Sequence, residues 1–152
     1  MHGLIFFYIQ KFADEATSGK TTWLKLRDTV TASDNRYLPN EVYPDEDAIE
    51  LLQKIADTCG EPLPELIERF GEFLAPHLIK VASQNIDPTW RTLDLIENTE
   101  DIIHTMVRTA KPGAEPPVLE TVRHSPNELH LVYSSSRQLC LLAKGITQGL
   151  AN

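Results

Sequence analysis

Apolar residues recur at steps of three and four over most of the chain, and proline and glycine punctuate the runs. The clearest run predicts a helix from about Pro64 to Val81, with Leu66, Ile67, Phe70, Leu74, Leu78 and Val81 on one stripe. Two residues inside it break the local rule. Gly71 costs about 1 kcal/mol against alanine, and Pro76 removes a backbone donor, so a kink or a close approach by another group is expected. Further helices are predicted over about residues 2–17, within TTWLKLRDTV, from Pro44 to near Gly60, from about Thr92 to Ala110, and from about Ser136 to Leu150. Asp45, Glu46 and Asp47 open the third of these, against the positive end of its dipole. The period changes once: PVLETVRH and ELHLVYS alternate around SPN, the pattern of an antiparallel hairpin. The expected class is helix-rich α+β.

On a wheel of about 100° per residue, the apolar arc of the Thr92–Ala110 helix runs through Ile96, Ile103 and Val107, and His104 falls at its margin. The length of 152 residues suits one domain. A net charge of −8 without clustered Lys and Arg argues against nucleic acid or an anionic membrane as partner. Cys59 and Cys140 are far apart with no C-x-x-C, which suits a reducing, cytoplasmic compartment. The opening MHGLIFFYIQKF has no basic leader or cleavage site and is broken by Gln10 and Lys11, so it is expected to be part of the fold. No apolar run approaches the roughly 20 residues of a membrane span, and a soluble protein is expected.

Several motifs fail on spacing. TSGKTT is not a phosphate loop, because the glycine required five positions before Gly19 is Asp14. The acidic run at Asp45 lacks the alternating ligands of a calcium loop, and His124 and His130 stand too far from other ligands for zinc. What remains is LHLVYSSSRQLCLL and His104. Residues two apart share a face in an extended segment, so Tyr133, Ser135 and Arg137 can point the same way. A guanidinium fork, hydroxyls and the N–H groups of a following helix suit a carboxylate or a phosphate. The alternative is local: a serine caps the helix, Tyr133 is core and Arg137 pairs with a surface acid. His104 alone reads equally as a boundary residue. Together, an axial nitrogen and an anion clamp are what a heme with two propionates requires.

On these residues the sequence resembles the heme-nitric oxide/oxygen binding (H-NOX) domain family, related to the sensor domain of soluble guanylate cyclase. The resemblance is carried by MHGLIF, YPDED, LIERFGEFL, TLDLIENTEDIIHTMVR, PGAEPP and Y-x-S-x-R at Tyr133, Ser135 and Arg137, about 30 residues after His104. It implies one H-NOX-like domain over 1–152, with an N-terminal helical subdomain over about 1–60 and a heme-ligating subdomain over about 61–152. It makes His104 the proximal iron ligand of a heme b, and Tyr133, Ser135 and Arg137 the propionate clamp. The heme would be held noncovalently, since no C-x-x-C-H is present. Ile5 and Pro117 match positions that press on the porphyrin, although ordinary packing explains their apolar character equally well.

The matching distal positions are Ile5, Ile9, Leu74 and Leu78, together with Leu142 where oxygen-binding members carry a tyrosine. Such a pocket offers no hydrogen-bond donor to dioxygen, whereas nitric oxide and carbon monoxide need none. The resemblance thus implies a nitric oxide sensor that excludes oxygen. Tyr8 would aim its hydroxyl inward only by replacing Ile9. Signalling would pass to a separate effector, a histidine kinase or a cyclic-di-GMP enzyme. Two other classes stay open. A heme enzyme, peroxidase or nitric oxide-consuming, wants a distal acid–base pair that Ile5, Leu74, Leu78 and Leu142 cannot supply. A heme-free interaction module would have no use for His104 and an intact clamp. Members of the family usually continue past the last helix into a further pair of strands.

Overall fold

The computed structural model describes residues 1–19, 21, 23–28, 30, 37–110 and 113–151. The parts of TTWLKLRDTV, of the loop before Pro44 and of KPGAEPP that fall on residues 22, 29, 35, 36, 111 and 112 lie outside these. The described elements are α1 (Gly3–Ala16), α2 (Trp23–Arg27), α3 (Asp45–Cys59), α4 (Leu63–Ala82), a 3-10 turn (Ser83–Asn85), α5 (Thr92–Asn98), a π-helical segment (Thr99–His104), α6 (Thr105–Ala110), β1 (Val118–Ser125), β2 (Glu128–Ser134) and α7 (Cys140–Ala151). They form two compact units, Met1–Phe70 and Gly71–Asn152.

In the first unit, His2 caps α1 by accepting the Leu4 N–H on Nδ1 at 3.3 Å. Hydrogen bonds from Gly3 N to Glu41 O (2.8 Å) and from Tyr43 N to Met1 O (2.9 Å) hold the chain start beside residues 41–43. A side chain at Gly3 would collide with the Leu38 carbonyl. Helix α1 exposes Lys11, Asp14 and Glu15 on one side and is apolar around a broad arc opposite. It buries Phe6, Tyr8, Ile9 and Phe12 and leaves Phe7 exposed. Tyr8 and Ile9 are both buried, with the Tyr8 ring packed edge-on against Phe7 at a centroid distance of 5.2 Å. Tyr37 stacks on Phe6, with centroids 4.1 Å apart, and its hydroxyl donates to the buried Asp47 of α3 at 3.3 Å. Helix α3 ends as expected at Gly60, where φ is +70° and Glu61 N bonds back to Ala56 O at 3.0 Å.

Helix α4 runs through Gly71 and Pro76, and the role of Gly71 is a close approach. A Cβ there would stand 2.6 Å from the Leu142 carbonyl oxygen and 2.7 Å from Ile146 N of α7. One turn further along α7, a Cβ on Gly149 would stand 2.6 Å from Glu72 O. In the second unit, the last part of α4 and α7 thus meet backbone to backbone.

The helical run from Thr92 to Ala110 is not one α-helix, as the sequence suggested, but carries a wide turn at its middle. The Thr105 N–H reaches five residues back to Glu100 O. Its cause is side-chain competition for the backbone: Asn98 Nδ2 donates to Asp94 O (2.8 Å), Thr99 Oγ1 to Leu95 O (2.7 Å) and Thr105 Oγ1 to Glu100 O (3.2 Å). The wide turn breaks the wheel, so Ile102, Ile103 and His104 are half-buried in succession.

Strands β1 and β2 form the expected hairpin, with Leu119 opposite Tyr133, Thr121 opposite Leu131 and an irregularity between Arg123 and Ser125. Arg123 pins it to α5, donating to Ser125 O (2.9 Å) and Pro126 O (3.0 Å) and pairing with Asp94 (3.3 Å) and Glu97 (3.1 Å). Helix α7 begins at Cys140 and not near Ser136. Ser135 Oγ accepts the Arg137 N–H at 3.2 Å and Gln138 takes a left-handed φ of +53°, so the chain turns before it coils. Among the described residues no helix is long and apolar enough to cross a membrane.

Candidate functional site

His104 closes the π segment with its side chain 15% exposed, and its Nδ1 lies 2.9 Å from Glu100 Oε2. Glu100 is a junction. Oε2 also accepts the Leu119 N–H of β1 at 3.0 Å, and Oε1 pairs with Arg108 of α6 at 2.8 Å. Arg108 in turn donates to Pro117 O at 3.1 Å. Burial pushes the Glu100 carboxyl up, but hydrogen bonds from Arg108, His104 and Leu119 outweigh it and hold the group below its ordinary value. An imidazole that donates Nδ1–H to a carboxylate carries its lone pair on Nε2. No described residue hydrogen-bonds that nitrogen.

The sequence signalled Glu100 only weakly. A carboxylate four residues before a histidine is the helix-face spacing, and among scattered acidic residues it reads as one more solvated charge.

Along Tyr133–Arg137 exposure alternates: Tyr133, Ser135 and Arg137 are half-buried, and Ser134 and Ser136 are exposed. The three clamp side chains thus share a side even though the strand ends at Ser134. Tyr133 faces Leu119 across the hairpin, and Leu119 carries the N–H that Glu100 accepts, so β1 connects His104 to the clamp. Among the described residues the Tyr133 hydroxyl has no hydrogen-bond partner. Arg137 donates to Glu115 O and lies 3.9 Å from the Glu115 carboxylate, which is 80% exposed. The pairing with a surface acid foreseen as the local alternative is therefore present, and it also places the guanidinium beside Tyr133 and Ser135 in sequence and on their side of the chain. The helix N–H groups expected beside the clamp start later, at Cys140.

Of the remaining positions, Pro117 is half-buried with its carbonyl held by Arg108. On α4, Leu74 is buried and Leu78, one turn on, is half-buried; Leu142 is half-buried on α7. Ile5 (half-buried) and Ile9 (buried) belong to the first unit. His124 Nε2 and His130 Nδ1 lie 3.1 Å apart on the exposed face of the hairpin, and among the described residues no three His, Cys, Asp or Glu could hold a metal ion together.

The residues of the second unit fit a heme. In this unit Ile102, Ile103, Met106, Leu131 and Ile146 are half-buried while Leu74 and Ile96 are buried, and in the first unit Phe6, Ile9, Leu51 and Ile55 are fully buried. Half-buried apolar side chains, an imidazole whose Nε2 has no hydrogen-bond partner among the described residues, and a phenol and guanidinium at and just past the end of β2 match a flat apolar group with an anionic edge.

The fold is that of the H-NOX class of heme-binding gas-sensor domains. The chain aligns with the S. oneidensis H-NOX protein in its Fe(II)NO state at a TM-score of 0.88 and 26% identity, covering 99% of this chain and 83% of that one. With an Fe(II) triple mutant of the S. oneidensis protein the TM-score is 0.91 at 25% identity, over 99% and 81% of the two chains. With the Shewanella oneidensis H-NOX domain in its Fe(II)CO state it is 0.87 at 25% identity, over 99% and 83%. The chain belongs to the Haem-NO-binding family, which it matches over residues 2–152. No curated protein matches it at a significant level. As a member of this family it is a sensor domain and not an enzyme.

Proposed function

We propose that this chain binds heme b through His104, responds to nitric oxide while excluding oxygen, and signals to a separate effector protein. The observation that carries the reading is the His104–Glu100 pair at 2.9 Å, which occupies Nδ1 and would leave Nε2 to ligate an iron. Family membership supports the cofactor and the gas, as do the relatives in Fe(II)NO and Fe(II)CO states. When bound, the heme supplies a ferrous iron with an open position for a diatomic gas.

The chain's own residues do the rest. His104 would hold the iron through Nε2. Tyr133, Ser135 and Arg137 orient the propionates, with Arg137 exchanging the exposed Glu115 carboxylate for a propionate. Pro117, its carbonyl fixed by Arg108, would press on the porphyrin. Leu74, Leu78 and Leu142 present no donor, which favours nitric oxide and carbon monoxide over dioxygen. Ile5 and Ile9 join this set through the family resemblance, and the buried Tyr8 is the one hydroxyl of α1 to test by Tyr8→Phe. Movement of His104 is passed to β1 through Glu100, and from there to a cytoplasmic histidine kinase or cyclic-di-GMP enzyme.

Replacing His104 tests the assignment. His104→Ala, with unchanged far-UV circular dichroism, is expected to lose stable heme uptake; normal heme content in that variant would refute the ligand. A heme enzyme would instead show peroxide turnover well above that of free heme, for which these leucines supply no proton-handling group.

A further inference from the structure

We propose that Glu100 is the positioning residue of the proximal histidine and ties the imidazole to the start of the hairpin, an inference that rests on the heme reading above. Four contacts carry it. Glu100 Oε2 is shared between His104 Nδ1 (2.9 Å) and the Leu119 N–H (3.0 Å), so imidazole and strand hang on one oxygen atom. Its other oxygen holds Arg108 (2.8 Å), and Arg108 holds Pro117 O (3.1 Å), two residues before Leu119. The π segment, α6 and the first residues of β1 are thereby closed into one ring of hydrogen bonds.

The ring has two consequences. A carboxylate acceptor keeps the proton on Nδ1 and makes Nε2 a stronger donor than an imidazole hydrogen-bonded to a neutral group. It also transmits displacement. If His104 moves, the shared oxygen must either follow it and drag the Leu119 N–H, or give up one of two charge-assisted hydrogen bonds. The π turn favours the first outcome, because Glu100 and His104 lie within the same wide turn and move together. Tyr133, opposite Leu119, would carry the shift to the clamp.

The test is Glu100→Gln in the full-length, heme-loaded chain. Glutamine keeps the size and the acceptor oxygen for one partner but removes the charge. The iron–histidine stretching frequency of the ferrous protein, read by resonance Raman, is expected to fall, the reduction potential to rise, and heme affinity to weaken about tenfold. A merely structural role would leave the stretching frequency and the potential where they are, so both unchanged in Glu100→Gln would overturn the proposal. Long-range proton–nitrogen spectra of the heme-free full chain separate this from the reading it rests on. They should show His104 as the Nδ1–H tautomer in the wild type and as a mixture in Glu100→Gln. An Nε2–H tautomer in the wild type overturns the positioning role alone. Normal heme uptake by His104→Ala overturns the ligand reading, and the inference with it.

Discussion

Gly71→Ala is expected to destabilise the second unit, although the same change on an exposed helix face would stabilise it. The added methyl would lie 2.6 Å from Leu142 O, 2.7 Å from Ile146 N and 2.9 Å from Gly145 C, all backbone atoms of α7 that no rotamer change can move aside. Ordinary contact begins near 3.4 Å, so α7 must back away by about 0.8 Å. Alanine gains about 1 kcal/mol in helix propensity, and overpacking of this kind costs about 1–3 kcal/mol. The net expectation is a loss of about 1 kcal/mol. Because the clash is at Leu142 and Ile146, it should appear first as faster amide exchange along α7 and only then as a lower urea midpoint. Heme affinity should fall with it, since Leu142 is one of the residues proposed to face the gas. A Gly71→Ala protein with a raised midpoint and unchanged exchange in α7 would refute the backbone contact and the inference that Gly71 exists to allow it.

Three further outcomes are expected. Burial raises the Asp47 carboxyl above its ordinary value, and the Tyr37 hydrogen bond offsets this only in part. The folded state therefore binds that proton more readily than the unfolded chain, and the resulting stability is present at low pH and is lost as pH rises through the raised value. Asp47→Asn should raise the melting temperature at neutral pH and flatten its fall as pH rises above the ordinary carboxylate range, checked by thermal unfolding as a function of pH. Gln138→Gly should stabilise the protein by roughly 0.5 kcal/mol in urea unfolding, as relief of the left-handed φ of +53° exceeds the entropy cost of glycine. Leu142→Tyr should strengthen oxygen binding by the reduced, heme-loaded protein by about 10–100-fold, the worth of one hydrogen bond to a charged acceptor, read as the appearance of an oxygen complex in absorption titrations.

The helices α1, α3 and α4 and the hairpin were legible because their apolar periods are regular and because Pro44, Gly60 and the SPN turn mark their ends. The close approach at Gly71 was legible too, since a glycine that violates helix propensity inside a strong stripe needs a packing reason. The π turn was not. A helical wheel assumes a constant angle per residue, and the asparagine and threonine side chains that loosen the ladder look, in sequence, like ordinary polar positions. Glu100 was missed for a related reason: nothing in ENTEDIIHT distinguishes it from Glu97 or Asp101 until Leu119, Arg108 and His104 converge on it from three elements. The late start of α7 reflects a Ser135 side chain that bonds its own loop, a local competition that composition does not reveal.

The central claim, a histidine-ligated heme in surroundings that admit nitric oxide and reject oxygen, is tested most directly by the absorption spectrum of the reduced, heme-loaded protein. It would be recorded in oxygen-free buffer, then after brief exposure to air, then with nitric oxide. The account predicts a five-coordinate ferrous spectrum that air leaves unchanged and nitric oxide shifts. A stable oxygen complex would contradict the apolar surroundings and point to Tyr8, and a protein that takes up no heme would contradict the account as a whole.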